Sequence, residues 1–163
     1  MESDKKLEKL LVYLDNNYAL EKVYYPGSGW HKVPKETLGT DKVVHVSLEE
    51  NLKWVDGGYF RRLGKGLNVK GDYRKSPFQD KTFDATLIWG IPPVTAIDAV
   101  PEFRRVTKKN GLLIVGSNQF CSTESVYNSR KITFDDVLGC VDGQLTQIKI
   151  PSCYFGISVY KNE

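Results

Sequence analysis

The chain has 163 residues, 40% of them hydrophobic, 12% aromatic and 26% charged, a balance that excludes a disordered or collagen-like polymer. Its length suits one domain spanning residues 1–163 with a three-layer core. The net charge of +3 on a mixed-sign background permits contact with nucleic acid but does not indicate it.

The opening segment places Leu7, Leu10, Leu11 and Leu14 at steps of three and four residues, which predicts a helix from about Asp4 to Asn16 with its charged residues on the opposite face. Val23-Tyr24-Tyr25 is a short β-prone run, broken at Pro26-Gly27-Ser28-Gly29. Pro34 limits any helix beginning just beyond that turn. Lys42 to Leu48 predicts a second strand, Glu49 to Arg62 a helix, and Asn68 to Lys70 a brief third strand ending at Gly71. Arg61 to Lys65 (RRLGK) is the nearest approach to a basic run and reads first as a solvated helix end.

Ala85 to Trp89 predicts a fourth, buried strand, closed by Gly90-Ile91-Pro92-Pro93. Ile97, Val100, Phe103 and Val106 follow at three-residue steps and suit a helix packed on a sheet, mainly after Pro101, with Asp98 or Pro101 near its first turn. Asn110-Gly111 predicts a turn, and the almost wholly apolar Leu112 to Val115 a strand buried on both faces of a parallel sheet. Asn118 to Arg130 is polar and irregular, and Thr133 to Asp136 resembles a capped helix start. Gln144 to Ile150 and Tyr154 to Tyr160 alternate apolar with polar residues, as a terminal antiparallel pair does.

Cys121, Cys140 and Cys153 lack C-x-x-C spacing, with only His31 and His45 to assist them, so no metal site is expected. The odd cysteine count, the lack of a signal-like apolar segment at the N-terminus and the lack of any membrane-length run point to a cytoplasmic setting without membrane contact.

A glycine-rich turn after a first strand lets a ligand approach the backbone closely and offers it amide N–H groups. Pro26, Gly27, Ser28 and Gly29 form such a turn, which also reads as a simple strand-to-loop corner. A nicotinamide dinucleotide would require a third glycine and a helix starting at once, and G-S-G-W-H-K lacks the glycine.

Three further segments join this turn in order. They are Gly71-Asp72 through Pro77-Phe78 and Asp80 to Phe83-Asp84, then Trp89 to Pro93, then Glu102 to Val115. Together they resemble the class I S-adenosylmethionine-dependent methyltransferases, including their "GD…PF.D..FD" and "E..RVLKPGG" runs. The resemblance covers about Val23 to Val115. It implies an α/β, Rossmann-like three-layer sandwich whose mostly parallel seven-stranded sheet ends in an antiparallel C-terminal strand. It further implies S-adenosylmethionine as cofactor and methyl transfer to an unidentified acceptor.

In the same resemblance Pro26 to Gly29 face the methionine and ribose of the cofactor, Asp72 contacts the adenine amine, and Tyr73 supplies an apolar wall. Asp84 is structural. Ser47 stands where the family places the ribose-binding acid, so Glu49, ahead of Glu50, is the substitute; both also suit a helix N-terminus. Trp89 belongs either to the pocket wall or to the core. Ile91 and Val94 replace the polar and aromatic residues that amine-methylating members carry beside the paired prolines. His31, beyond the glycine turn, is the candidate general base or else a surface histidine, while His45 is packed within a strand. Tyr25, Trp30 and Tyr127 are aromatic candidates for an acceptor pocket. The spare sequence is short, which fits a small acceptor or one presented by a macromolecular surface or a second subunit, as in a homodimer. Ser47 and the reduced glycine turn also suit a methyltransferase-like binding or regulatory protein without catalysis.

Overall fold

The computed structural model describes residues 2–27, 31–47, 68–116, 124–127, 130–133, 136, 138, 145–154 and 156–163; for 47, 124–127 and 130–132 the description concerns the backbone. The expected helix from Glu49 to Arg62 lies outside the described residues, as do Ser28, Gly29, Trp30, Cys121 and Cys140.

The leucine spacing folds as α1 (Glu2–Tyr18), longer than expected at both ends. Glu2 and Asp4 occupy its first turn, where the helix dipole favours negative charge. Leu7, Leu10, Leu11 and Leu14 are all fully buried. Among the described residues the other helices with defined bounds are short: α2 (Val33–Leu38), α3 (Pro93–Ala96) and α4 (Val100–Val106). Pro34 does not prevent α2. It sits in the first turn, where its missing N–H would have no intrahelical partner in any case. Pro101 takes the same position in α4.

The strands are β1 (Val23–Pro26), β2 (Val43–Ser47), β3 (Asn68–Lys70), β4 (Phe83–Trp89), β5 (Thr107–Gly116), β6 (Glu124–Tyr127), β7 (Arg130–Thr133), β8 (Leu145–Ile148) and β9 (Ile157–Asn162). Seven of them form one sheet in the order β3-β2-β1-β4-β5-β9-β8. Pairing is parallel from β3 through β5, whereas β9 runs antiparallel to both β5 and β8. The antiparallel terminal pair is as expected, but its last strand begins at Ile157 rather than Tyr154. Ser152–Tyr154 is instead a 3₁₀ turn, and Gly156 has φ +88°.

Alternation along the strands sorts the core into two faces. Tyr24, Val44, Val46, Ile88, Leu113 and Val115 pack with Phe103 and Val106 of α4. Val23, Tyr25, Val43, Ala85, Leu87, Trp89, Leu112 and Ile114 pack with the leucines of α1. The helices on either side of the sheet make the three layers.

Two segments differ from expectation. Asn110, at φ +64°, makes the turn predicted there, but it is a bulge within β5: Phe83 pairs with Thr107 and Ala85 already with Leu112. β6 and β7 form a separate two-stranded sheet where the sequence reads as irregular. Beyond β7 the expected cap is present. Thr133 N–H donates to Asp136 Oδ2 at 2.8 Å, and Asp136 N–H returns to Thr133 Oγ1 at 3.2 Å. Among the described residues no helix is long and apolar enough to cross a membrane.

Candidate active site

In an open α/β sheet, ligands sit beyond the carboxyl ends of the strands where the strand order reverses. Here the chain builds outward from β1 through β2 to β3 on one side, and through β4 to β5 on the other. The reversal falls between β1 and β4. Beyond their carboxyl ends lie Gly27, following β1, and Gly90-Ile91, following β4; Gly71-Asp72-Tyr73 follow β3 on the same side.

Gly27 adopts φ +58°, and its N–H donates to the Val46 carbonyl at 2.9 Å, which fixes the corner against β2. A Cβ at this position would lie 3.3 Å from Ile91 Cγ1 and Cδ1 and 3.8 Å from Tyr73 Cε1. Ile91 and Tyr73 therefore line the corner on the side that a Cβ would occupy. Pro26 ends β1 directly before it. Tyr73 is half-buried, its ring 6.2 Å from that of Phe103, and burial raises its phenol above the usual range.

Asp72 stands in the same rim, but its carboxylate is already engaged. It accepts from Arg74 N–H at 2.9 Å, from Arg74 Nε at 3.0 and 3.1 Å, and from Arg74 Nη2 at 2.7 Å. The Arg74 side-chain bonds hold its carboxyl below the usual range, so it is ionised at neutral pH. A base amine bound there would share these oxygens with Arg74.

His31 is not a surface residue. Its side chain is 16% exposed, with Nδ1 2.8 Å from the Tyr25 hydroxyl and Nε2 3.1 Å from Asp4 Oδ1. A carboxylate oxygen only accepts, so in the neutral imidazole Nε2 carries the hydrogen and Nδ1 accepts from Tyr25. Both ring nitrogens are thus occupied by the protein. His31 can take a substrate proton only if one of these bonds opens. His45 lies in β2, fully buried, with its ring centroid 5.1 Å from that of Tyr25. Burial above all, then the Lys35 and His31 charges, push its pKa down to about 3, so it is neutral and unsuited to proton uptake.

Trp89 closes β4 at 2% exposure. Its ring lies parallel to that of His31, 11° between planes and 6.3 Å between centroids. Gly116, the last residue of β5, makes room for it: a Cβ there would come 2.2 Å from Trp89 Cζ3. Ser28, Gly29, Glu49, Glu50 and the side chains of Ser47 and Tyr127 lie outside the described residues.

The loop carrying Ser76 to Asp80 is held by a cluster that the sequence motifs contain but do not explain. Glu102 Oε1 accepts from Ser76 N–H at 2.8 Å and Ser76 Oγ at 2.6 Å, and Arg105 binds Glu102 through Nε at 2.8 Å and Nη2 at 2.7 Å. Arg105 also donates to the Phe78 carbonyl at 2.8 Å and to Asp80 at 2.5 Å. The Glu and Arg of the "E..R" run thus clamp the "PF.D" run of the preceding loop. The three-residue spacing of Glu102 and Arg105 on a helix face was the available signal. Asp84 is structural, as expected. Its Oδ2 accepts from Glu21 and Lys22 N–H at 3.1 and 2.8 Å, and its Oδ1 faces Lys108 Nζ at 2.7 Å.

This topology recurs in solved structures. CalS10, an amino pentose methyltransferase from Micromonospora echinaspora with S-adenosylmethionine bound, superposes with a TM-score of 0.66 at 11% identity, covering 100% of this chain and 92% of that one. The PH0226 protein from Pyrococcus horikoshii OT3 gives 0.63 at 19% identity over 98% and 90%. N-methyltransferase NodS from Bradyrhizobium japonicum WM9, in complex with S-adenosyl-L-homocysteine, gives 0.63 at 10% identity over 97% and 86%. No protein-family model and no curated protein sequence matches the chain. The fold is that of the class I S-adenosylmethionine-dependent methyltransferases.

Proposed function

We propose that this protein is an S-adenosylmethionine-dependent methyltransferase. The observation that carries the proposal is Gly27: a left-handed, side-chain-free corner at the strand-order reversal, flanked by Ile91 and Tyr73. S-adenosylmethionine would lie along the rim from Gly27 toward Asp72 and Tyr73, with Tyr73 as apolar wall and Asp72 as ionised acceptor for an adenine amine. Glu49 would serve the ribose hydroxyls.

The cofactor supplies an activated methyl sulfonium, so the chain need only hold the acceptor in line with it. His31, oriented by Asp4, would accept the proton where the methylated atom must lose one, once its bond from the Tyr25 hydroxyl opens. The acceptor belongs to a small molecule or to a group presented by a partner or second subunit. Ile91 beside the paired prolines makes this part of the crevice apolar.

Calorimetric titration of S-adenosylhomocysteine into the wild type, Asp72→Ala and Glu49→Gln tests the assignment. Both substitutions lower affinity about tenfold or more, the scale of a lost hydrogen bond to a charged group. Unchanged affinity in both removes these residues from the site.

A further inference from the structure

The indole N–H of Trp89 is buried, and Nε1 has no hydrogen-bond partner among the described residues. A buried donor left unsatisfied is costly, and each one in a folded protein calls for an explanation such as a bound water or ligand. Three features bear on which. Trp89 ends β4 at the strand-order reversal, where the candidate crevice begins. The Cε3–Cζ3 edge of its indole lies over Gly116 of β5, so the opposite edge, which carries Nε1, is turned away from β5. The ring is held in that orientation by Gly116 on one side and by the parallel imidazole of His31, which Asp4 and Tyr25 fix in turn. A tryptophan locked with its N–H unmade is a preorganised donor, because the energetic cost of orienting it falls on folding rather than on binding.

We propose that Trp89 Nε1–H is a ligand-directed donor that takes a carboxylate oxygen in the crevice. An anionic oxygen gives a buried N–H its strongest partner. Two sources share that chemistry, the amino-acid end of the cofactor and a carboxylate on the methyl acceptor. The inference rests on the methyltransferase reading for the identity of the ligand, while the orphaned donor is a property of this chain alone.

The test is Trp89→Phe, which keeps an aromatic ring and deletes the donor. Phenylalanine leaves part of a buried site unfilled, so the apo variant unfolds at a lower temperature than wild type, and the two proteins are compared where both are fully folded. S-adenosylhomocysteine and methylthioadenosine, which shares the adenosyl group but lacks the amino acid, are then titrated into both proteins. Loss of roughly ten- to a hundredfold in affinity for the first, with the second unchanged, assigns the donor to the cofactor carboxylate.

In the ¹⁵N-labelled wild type the Trp89 indole resonance provides an independent readout that does not depend on how the variant folds. It moves downfield with S-adenosylhomocysteine and stays in place with methylthioadenosine. If it moves only when acetate or benzoate is added to the S-adenosylhomocysteine complex, the carboxylate belongs to the acceptor. If the protein binds S-adenosylhomocysteine and none of these ligands moves the resonance, the inference is overturned while the methyltransferase reading stands. Failure to bind S-adenosylhomocysteine at all overturns both.

Discussion

Glu102→Gln is the substitution whose consequences the structure defines most sharply. The carboxylate is 11% exposed and accepts from Ser76 and Arg105, with Arg105 the larger influence, and together they hold its pKa at about 2 against an ordinary 4.5. At 1.36 kcal/mol per unit, that difference corresponds to about 3 kcal/mol of stability carried by the ionised form. Because the folded pKa is the lower one, this stability is fully present above about pH 4.5. It is lost as the pH falls through the folded value near 2. Glutamine keeps the shape and one acceptor but loses the charge. Urea unfolding at pH 7 should therefore place the variant about 2–3 kcal/mol below wild type. The gap should narrow steadily between pH 4.5 and 2.5. A gap below about 0.5 kcal/mol at pH 7, or one independent of pH, refutes the clamp as a stabilising element.

Gly27→Ala places a Cβ at φ +58° against Ile91 and should cost about 1–2 kcal/mol in urea unfolding, with Gly27→Val costing more. Both should also weaken S-adenosylhomocysteine, and neutrality in both measurements would contradict the corner's conformation. Asp84→Asn removes the charge that faces Lys108 and weakens the acceptor for Glu21 and Lys22 N–H. It should lower stability by about 1–2 kcal/mol while leaving ligand affinity unchanged, the second result separating a structural aspartate from a binding one. Burial holds His45 neutral, so its ring resonances should not titrate between pH 8 and 5. Its folded pKa lies below the unfolded value, so the group favours the folded state above about pH 6.5 and that contribution declines as pH falls toward 3. A His45 titration midpoint near 6.5 would show that the residue is not packed as described.

The sequence made the sheet legible wherever its burial is two-sided. Leu112 to Val115 is a continuous apolar run, and Ala85 to Trp89 is interrupted only by the buried Thr86, because both faces meet helices; the leucine ladder of α1 marks which face it covers. Short elements at sheet margins were harder to read. Strands β6 and β7 pair only with each other, outside the seven-stranded sheet, and their residues (ESVY and RKIT) carry no continuous apolar run to mark them. Pro34 argued against a helix that it in fact begins, because position within the first turn reverses the meaning of a proline.

In the site, the glycine corner and the Gly-Asp rim were visible as turn chemistry. What single-sequence reading could not supply were pairings across distance: Asp4 with His31, separated by 27 residues, and Ser76 with Glu102, separated by 26. Neither spacing has a local signature, since each is made by tertiary packing. The unmade indole bond of Trp89 is hidden from the sequence for the same reason. A missing partner can be recognised only once every neighbour is placed.

The central claim is that the crevice at Gly27 holds S-adenosylmethionine. Calorimetric titration of the purified protein with S-adenosylmethionine and, separately, with S-adenosylhomocysteine tests it most directly. One site per chain with micromolar affinity for both ligands is expected. Absence of heat at millimolar concentrations of either would contradict it.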